Sequence, residues 1–141
     1  MKKFIVIAFM ALLMTSCCEC NRYEKKYGVD LNKTVWQLTQ LYGRPVNATE
    51  DTFTVVFDGD KVNGRGACNS FFGDVKVQKE SGGTLRFSNM GSTKMMCPNQ
   101  EMEDKFMEVL STTDSFNKEG EFLYLFTDGE LRAILRAQKA E

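Results

Sequence analysis

The sequence predicts an α+β domain, a small antiparallel sheet of about eight short strands that is barrel-like or strongly curved, with one covering helix at about residues 98–112. Short stretches of alternating apolar and polar residues between glycine-containing turns are typical of antiparallel strands. One later stretch instead carries apolar residues at helical spacing. Strands joined by short turns tend to close into a barrel or to form a half-covered sheet. The 141 residues are enough for one such domain.

The N-terminal residues 1–16 are predicted to be a signal peptide. Two lysines precede an apolar run over residues 4–14, and small residues then lead to Cys17. A basic start, an apolar run of about 7–15 residues and small residues at its end are typical of a secretory signal. The run is shorter than the roughly 20 residues of a membrane-spanning helix.

Cys17 is the predicted lipidation site. A cysteine directly after the small residues resembles a bacterial lipoprotein signal, in which that cysteine is acylated and becomes the first residue of the mature chain. Met14 stands where such signals usually have leucine. The alternative is a soluble secreted protein in which Cys17 is incidental.

Residues 17–32 are predicted to form the lipidated N-terminus and a polar tether. Loss of the two lysines before residue 17 changes the formal charge from −1 to −3, because 16 basic and 19 acidic residues remain. Such a surface is not attracted to anionic headgroups, so attachment would rest on the acyl chains. Cys18 and Cys20 have no predicted role.

Most of the remaining chain carries strand patterns, and two-residue turns separate several of them. Asp58-Gly59 and Asp128-Gly129 are typical hairpin turns. Residues 121–126, EFLYLF, are apolar on both faces and predict a central strand covered on both sides. The predicted strands lie at 34–38, at 52–64 as a pair, at 74–78 and 84–88, around Phe116, at 121–126 and at 130–136.

The predicted helix follows Cys97. Pro98 suits the first helical position, and three acidic residues nearby would face the positive end of the helix dipole. The apolar stripe that would pack on the sheet consists of Met102, Phe106, Val109 and Leu110.

The composition excludes several functions. The sequence contains no histidine, which rules out a Ser-His-Asp triad, a Cys-His dyad and imidazole metal ligands. No catalytic residues are therefore predicted. A formal net charge of −1 lacks the basic surface of nucleic-acid-binding proteins, so no nucleic acid is expected as a partner.

The stretch GRGACNSFFGDV, residues 64–75, leaves four interpretations of Cys68. It could be a nucleophile, although no histidine is present as its base. It could bind Cu(I) together with Cys97 and nearby methionines, of which Met90, Met95 and Met96 are candidates. It could form a disulfide with Cys97, or both could be buried free thiols.

The disulfide is the favoured interpretation, and accordingly no metal or cofactor is predicted. Cys68 and Cys97 are the two cysteines within the domain, and an exported domain meets an oxidising compartment. Closing this loop would stabilise the fold by roughly 3–4 kcal/mol on the chain-entropy model. The neighbouring residues then take structural roles as bends, turn-forming polar groups or core aromatics. The candidates are Gly64, Gly66, Asn69, Ser70, Phe71 or Phe72, and Gly73.

Three motifs together resemble the META domain family, which includes the bacterial heat-shock lipoprotein HslJ. They are WQLTQLYGRPV at 36–46, GRGACNSFFGDV at 64–75 and MGSTKMMCP at 90–98. The last contains a Thr-x-Met-x-Cys pattern in which Thr93, Met95 and Pro98 are motif positions. The resemblance covers residues 33–136 and leaves 137–141 as a polar C-terminal tail.

The resemblance implies a non-catalytic lipoprotein of the bacterial cell envelope, anchored in the outer membrane and connected with stress tolerance. Its expected partners are the membrane, through the N-terminal lipid, and an unidentified envelope protein. The alternative is a carrier or sensor of a small apolar ligand or lipid, held in the barrel. A carrier should contain a continuous apolar cavity of about 300 Å³ or more.

Overall fold

The structure is a computed structural model that describes residues 22, 23, 25–79 and 82–139. Residues 22, 23 and 25–27 are helical. In the described part of the chain after residue 27, six strands precede one helix and three strands follow it. The first strands are β1 (Val35–Leu41), β2 (Arg44–Pro45), β3 (Thr54–Asp58), β4 (Lys61–Arg65), β5 (Ser70–Gln78) and β6 (Gly83–Ser92). The helix α1 (Gln100–Thr112) is followed by β7 (Ser115–Glu119), β8 (Phe122–Thr127) and β9 (Glu130–Ala137).

Eight of the strands form a closed antiparallel barrel. From β3 to β9 each strand pairs with the next, and β1 pairs with both β3 and β9. Trp36 illustrates the closure, because it lies opposite Val55 on one side and Ala137 on the other. The two-residue strand β2 is an addition that pairs only with the end of β1 among the described strands. The predicted barrel is thus confirmed, and closure removes the exposed edges of an open sheet.

Hairpin turns follow the glycine signals closely. Asp128 and Gly129 have φ of 52° and 76° and join β8 to β9, which is the conformation that Asp-Gly turns favour. In the β3–β4 hairpin Asp58 still pairs with Lys61. The turn therefore consists of Gly59 and the residue after it, one position later than predicted.

The barrel interior is filled by large side chains from nearly every strand. The fully buried ones on strands are Trp36, Leu38, Val55, Phe57, Val62, Leu85, Phe116, Leu123, Leu125 and Leu135. The Trp36 indole N–H donates a hydrogen bond to the Leu31 carbonyl, 3.1 Å away, so its polar atom is satisfied.

The prediction of a doubly covered central strand at 121–126 is wrong. Leu123 and Leu125 of β8 point into the barrel and are buried, whereas Phe122, Tyr124 and Phe126 are half-buried on the outer side. A closed barrel has no central strand, so β8 shows the ordinary inward and outward alternation.

The helix covers the barrel with a stripe that differs from the predicted one. It begins at Gln100, two residues after Pro98. Phe106 is fully buried and makes edge-to-face contacts with Phe53 and Phe71, at centroid distances of 5.8 and 6.1 Å. Met102, expected in the stripe, is instead 36% exposed. Glu103 takes the buried position at the start of the helix.

The packed domain extends beyond the predicted boundaries. Leu31, assigned to the tether, is buried in the core, and Val29 packs against it. Ala137, assigned to the tail, ends β9 and is also buried. The predicted signal peptide at 1–16 and Cys17 lie outside the described residues. Within the described ranges, no helix has both the length and the apolar character that crossing a membrane requires.

Candidate functional site

Three separate segments meet at one corner of the barrel, which we call the disulfide corner. They are the β4–β5 loop at 66–69, the β6–α1 loop at 93–99 and Glu103 in the first turn of α1. Cys68 and Cys97 are joined by a disulfide across this corner. Their Cα atoms are 6.3 Å apart, within the usual range of about 4.4–6.8 Å. The nucleophile, metal and free-thiol interpretations each require a thiol that neither residue has in this state.

Asn69 holds the β6–α1 loop in place. Its side chain is only 2% exposed. The amide oxygen accepts hydrogen bonds from the Met95 backbone N–H at 2.7 Å and from the Thr93 hydroxyl at 2.8 Å. The amide nitrogen donates to the Met95 carbonyl at 3.0 Å and to the Glu103 carboxylate at 2.6 Å. Asn69 therefore pairs with Met95 much as a neighbouring strand would.

Glu103 is the buried acid of this corner, with 4% of its surface exposed. One carboxylate oxygen, Oε2, accepts hydrogen bonds from the backbone N–H groups of Cys68 and Asn69, at 3.0 and 3.1 Å. Burial acts to raise the pKa of this carboxyl. The hydrogen bonds from the backbone of Cys68, from Asn69 and from Ala67 together outweigh burial and lower the pKa below its ordinary value. The carboxylate is therefore ionised at neutral pH.

Gly66 is required by this arrangement. A Cβ atom at this position would lie 2.5 Å from Oε2 of Glu103, closer than atoms can pack. Gly64 is similarly confined by the carbonyl oxygen of Thr54, and Gly73 by the sulfur of Met90. All three glycines allow close packing, whereas the expected role of Gly64 and Gly66 was a bulge or bend at the end of a strand.

The other predicted motif residues have structural positions around the corner. The Ser70 backbone N–H donates to the Thr93 hydroxyl at 3.2 Å, and the Thr93 N–H donates to the Ser70 carbonyl at 3.0 Å. Phe71 enters the core, whereas Phe72 is 63% exposed. Pro98 lies in the exposed turn that precedes α1.

A groove of about 790 Å³ opens on the outer surface beside the corner. It runs between the end of β6, the β6–α1 loop and one face of α1. Its apolar lining consists mainly of Met90, Met95, Met96 and Met107. Met96 is 99% exposed and Met95 is also exposed.

Glu103 is a site residue that was not predicted, because its expected role was only to face the positive end of the helix dipole. A signal was present, because Glu103, Phe106 and Leu110 follow the i, i+3, i+7 spacing of the apolar face. A carboxylate Oε atom of Glu103 lies within 4.8 Å of the sulfur atoms of Cys68 and Cys97. In the oxidised protein those sulfurs are bonded to each other, and both carboxylate oxygens accept hydrogen bonds.

The fold and this corner define a small closed β-barrel with a helix fastened to it by a disulfide. A sequence profile of the META domain matches residues 29–140, and the chain belongs to this family. Two structures determined by NMR share the fold. A protein from Burkholderia xenovorans is 17% identical with a TM-score of 0.61, over 78% of this chain and 85% of that one. A second protein is 22% identical with a TM-score of 0.59, over 73% and 87%. No curated protein sequence matches the chain significantly.

Proposed function

We propose that the chain is a non-catalytic interaction module of the bacterial cell envelope, anchored to the membrane by a lipid on Cys17. The observation that carries this proposal is a barrel filled with side chains that presents on its outer surface a groove in which methionines lie beside polar residues. Contiguous exposed apolar surface beside polar residues is typical of interaction sites. Met95, Met96 and Phe72 are large exposed apolar side chains on this side of the barrel.

The packing favours this role over a carrier that holds its ligand inside the barrel. Trp36, Phe57 and Phe116 are buried in the space that such a ligand would occupy. The groove has enough volume to bind part of a partner, and it lies beside the barrel. An external interaction surface also agrees with the stress-related envelope role that the family resemblance implies.

The non-catalytic part of the proposal rests on the state of the reactive groups. The sequence has no histidine. The two cysteines of the corner are bonded to each other, and both carboxylate oxygens of Glu103 accept hydrogen bonds from N–H groups of the β4–β5 loop. A cysteine nucleophile must be a free thiolate, which neither of the bonded cysteines is. A general base must reach the proton that it removes, whereas the Glu103 carboxylate is buried and accepts hydrogen bonds from the loop N–H groups.

Anchoring is tested by metabolic labelling with a palmitate analogue. We expect the wild-type protein to be labelled and to fractionate with membranes, and Cys17→Ser to lose both properties. Cys18→Ser is the matched control and should keep them. Label that persists in Cys17→Ser, or that is lost in Cys18→Ser, would contradict the assignment of Cys17.

The interaction surface is tested by a photo-crosslinking amino acid in intact cells. We expect a discrete crosslinked protein from position 96, in the groove. Position 131, an exposed leucine on β9 outside the groove residues, is the control and should give none. Equal crosslinking from both positions, or none from position 96, would contradict an interaction through the groove.

A further inference from the structure

The methionines of this chain are unevenly distributed. Of the eight in the sequence, three lie at positions 1, 10 and 14, and the other five all lie between residues 90 and 107. Four of these five line the groove beside the disulfide corner. Met102, the fifth, is on α1 but is not among the groove residues. A cluster of this kind requires an explanation beyond core filling, because two of its members are strongly exposed.

The groove holds its methionines in two different ways. Met90 and Met107 are half-buried and pack against the hydrophobic core, so the positions of their side chains are constrained. Met95 and Met96 lie on the β6–α1 loop, where Asn69 binds the Met95 backbone through both its N–H and its carbonyl group. The loop backbone is therefore held while the exposed side chains, each with three rotatable bonds, can turn toward the groove.

The chemistry of the lining matches one class of ligand. Thioether sulfur is a soft donor that selects soft metal ions such as Cu(I). The other common copper ligands, thiolate and imidazole, are absent from the domain, because the sequence has no histidine and both corner cysteines are in the disulfide. Among the ionisable lining residues, Glu103 and Asp104 are acidic and Lys94 is basic. This net negative charge favours a cation.

We propose that the groove binds a soft monovalent metal ion, Cu(I) or its analogue Ag(I), through the thioether sulfurs of its four methionines. The proposal goes beyond the interaction role and does not depend on the lipid or on a protein partner. It also differs from the Cu(I) set considered from the sequence, because Met107 joins the donors and Cys97 does not contribute. Binding needs no redox step, since the metal enters in its reduced state.

The first test is a titration of the purified protein with Ag(I), with its disulfide intact. Any thiol at Cys17, Cys18 or Cys20 is blocked beforehand with N-ethylmaleimide, since thiolates would bind the metal themselves. The NMR signals of ¹³C-labelled methionine methyl groups report the ligands. We expect the signals of Met90, Met95, Met96 and Met107 to shift during the addition of one equivalent, with that of Met102 unchanged. No shift in the groove, or an equal shift of Met102, would overturn the proposal.

The second test measures Cu(I) affinity by competition with a colorimetric chelator in the presence of ascorbate. Met95→Leu and Met96→Leu keep the apolar volume of the side chain but remove the donor atom. Each should weaken binding by about tenfold or more, because even the loss of an outer-shell partner costs about 10–100-fold. Met102→Leu is the matched control and should bind as the wild type does. Wild-type affinity in both groove variants would overturn the proposal.

A pH series separates thioethers from other ligands. Thiolate and imidazole ligands must lose a proton to bind, so their metal affinity falls as the pH falls. A thioether has no proton to lose. We expect the affinity for Ag(I) to be the same at about pH 5 as at about pH 7, where histidine and cysteine sites would differ. A steep fall in affinity over this range would overturn the assignment to methionine.

Discussion

The disulfide corner and the β8–β9 hairpin are parts of one barrel, but different kinds of interaction stabilise them. In the hairpin, Leu123 and Leu135 lie opposite each other in the register, both buried, and a two-residue Asp-Gly turn joins the strands. The corner instead has a disulfide and a buried polar network that join distant segments of the chain. In this network Glu103 accepts hydrogen bonds from Asn69 and Cys68, which lie 34 and 35 residues before it in the sequence. Local pattern is sufficient for the hairpin, whereas the corner depends on a few specific long-range bonds.

This comparison predicts that single substitutions at the corner lower the free energy of unfolding more than those in the hairpin do. Loss of the disulfide should cause the largest decrease. Cys68→Ser or Cys97→Ser should lower the free energy of unfolding by about 2–5 kcal/mol, because the unfolded chain loses its cross-link. The double variant should cost about as much as either single one, since both remove the same bond. Urea unfolding of the four proteins measures this. Additive losses in the double variant would contradict a shared bond.

Replacement of the buried acid should give the next largest effect. Glu103→Gln places an amide NH₂ group where the carboxylate now accepts only N–H donors, and it should cost about 1–3 kcal/mol at neutral pH. Glu101→Gln is the control, because Glu101 is exposed on the same helix and pairs with Lys105 at 2.6 Å. It should cost much less.

The difference in unfolding free energy between the wild type and Glu103→Gln should also change with pH, in a direction that the pKa of Glu103 determines. The pKa of Glu103 is lowered in the folded protein, so its stabilising contribution is complete above the unfolded pKa of about 4.3. That contribution is lost as the pH falls through the lower folded pKa. The stability gap between wild type and variant, from urea unfolding at several pH values, should therefore narrow below about pH 4. A gap that widens on acidification would contradict the hydrogen-bonded carboxylate.

Gly66 at the corner and Gly129 in the hairpin also distinguish the two regions, because each position requires glycine for a different reason. Gly66→Ala at the corner should cost about 1–3 kcal/mol, since the new methyl group must displace Glu103. Gly129→Ala in the hairpin has open space around it but a φ of 76°, so it should cost roughly 1–2 kcal/mol as backbone strain. Gly129→Asn should recover part of that loss, because asparagine tolerates this conformation. In a protein that already carries Glu103→Ala, the stability loss caused by Gly66→Ala should become smaller, whereas the loss caused by Gly129→Ala should not change.

The smallest effect is expected at the ion pair beside the hairpin. Arg136 Nη2 lies 2.8 Å from Glu121 Oε1, and both side chains are partly exposed. Glu121→Gln should change the free energy of unfolding by less than about 1 kcal/mol, and added salt should reduce the difference further. Thermal unfolding at low and high ionic strength measures this. A loss as large as that of Glu103→Gln would end the distinction between the two regions.

The sequence by itself determined the local elements of this protein. Alternating residues and Asp-Gly turns place most of the strands, and the spacing of Phe106, Val109 and Leu110 identifies the helix. The family resemblance was equally accessible, because its motifs are contiguous stretches of sequence. These features are predictable because the residues that decide them are neighbours in the chain, where turn chemistry and side-chain periodicity act directly.

Only the tertiary structure decided how these elements combine. Closure of the barrel depends on the pairing of β1 with β9, from opposite ends of the domain, and this pairing turns the apolar segment 121–126 into an ordinary barrel strand. The burial of Glu103 and the gathering of four methionines around one groove likewise depend on distant segments. No local pattern specifies such partners, because a carboxylate on a helix face is stable in solvent or in the core according to the hydrogen-bond donors that the rest of the fold brings to it.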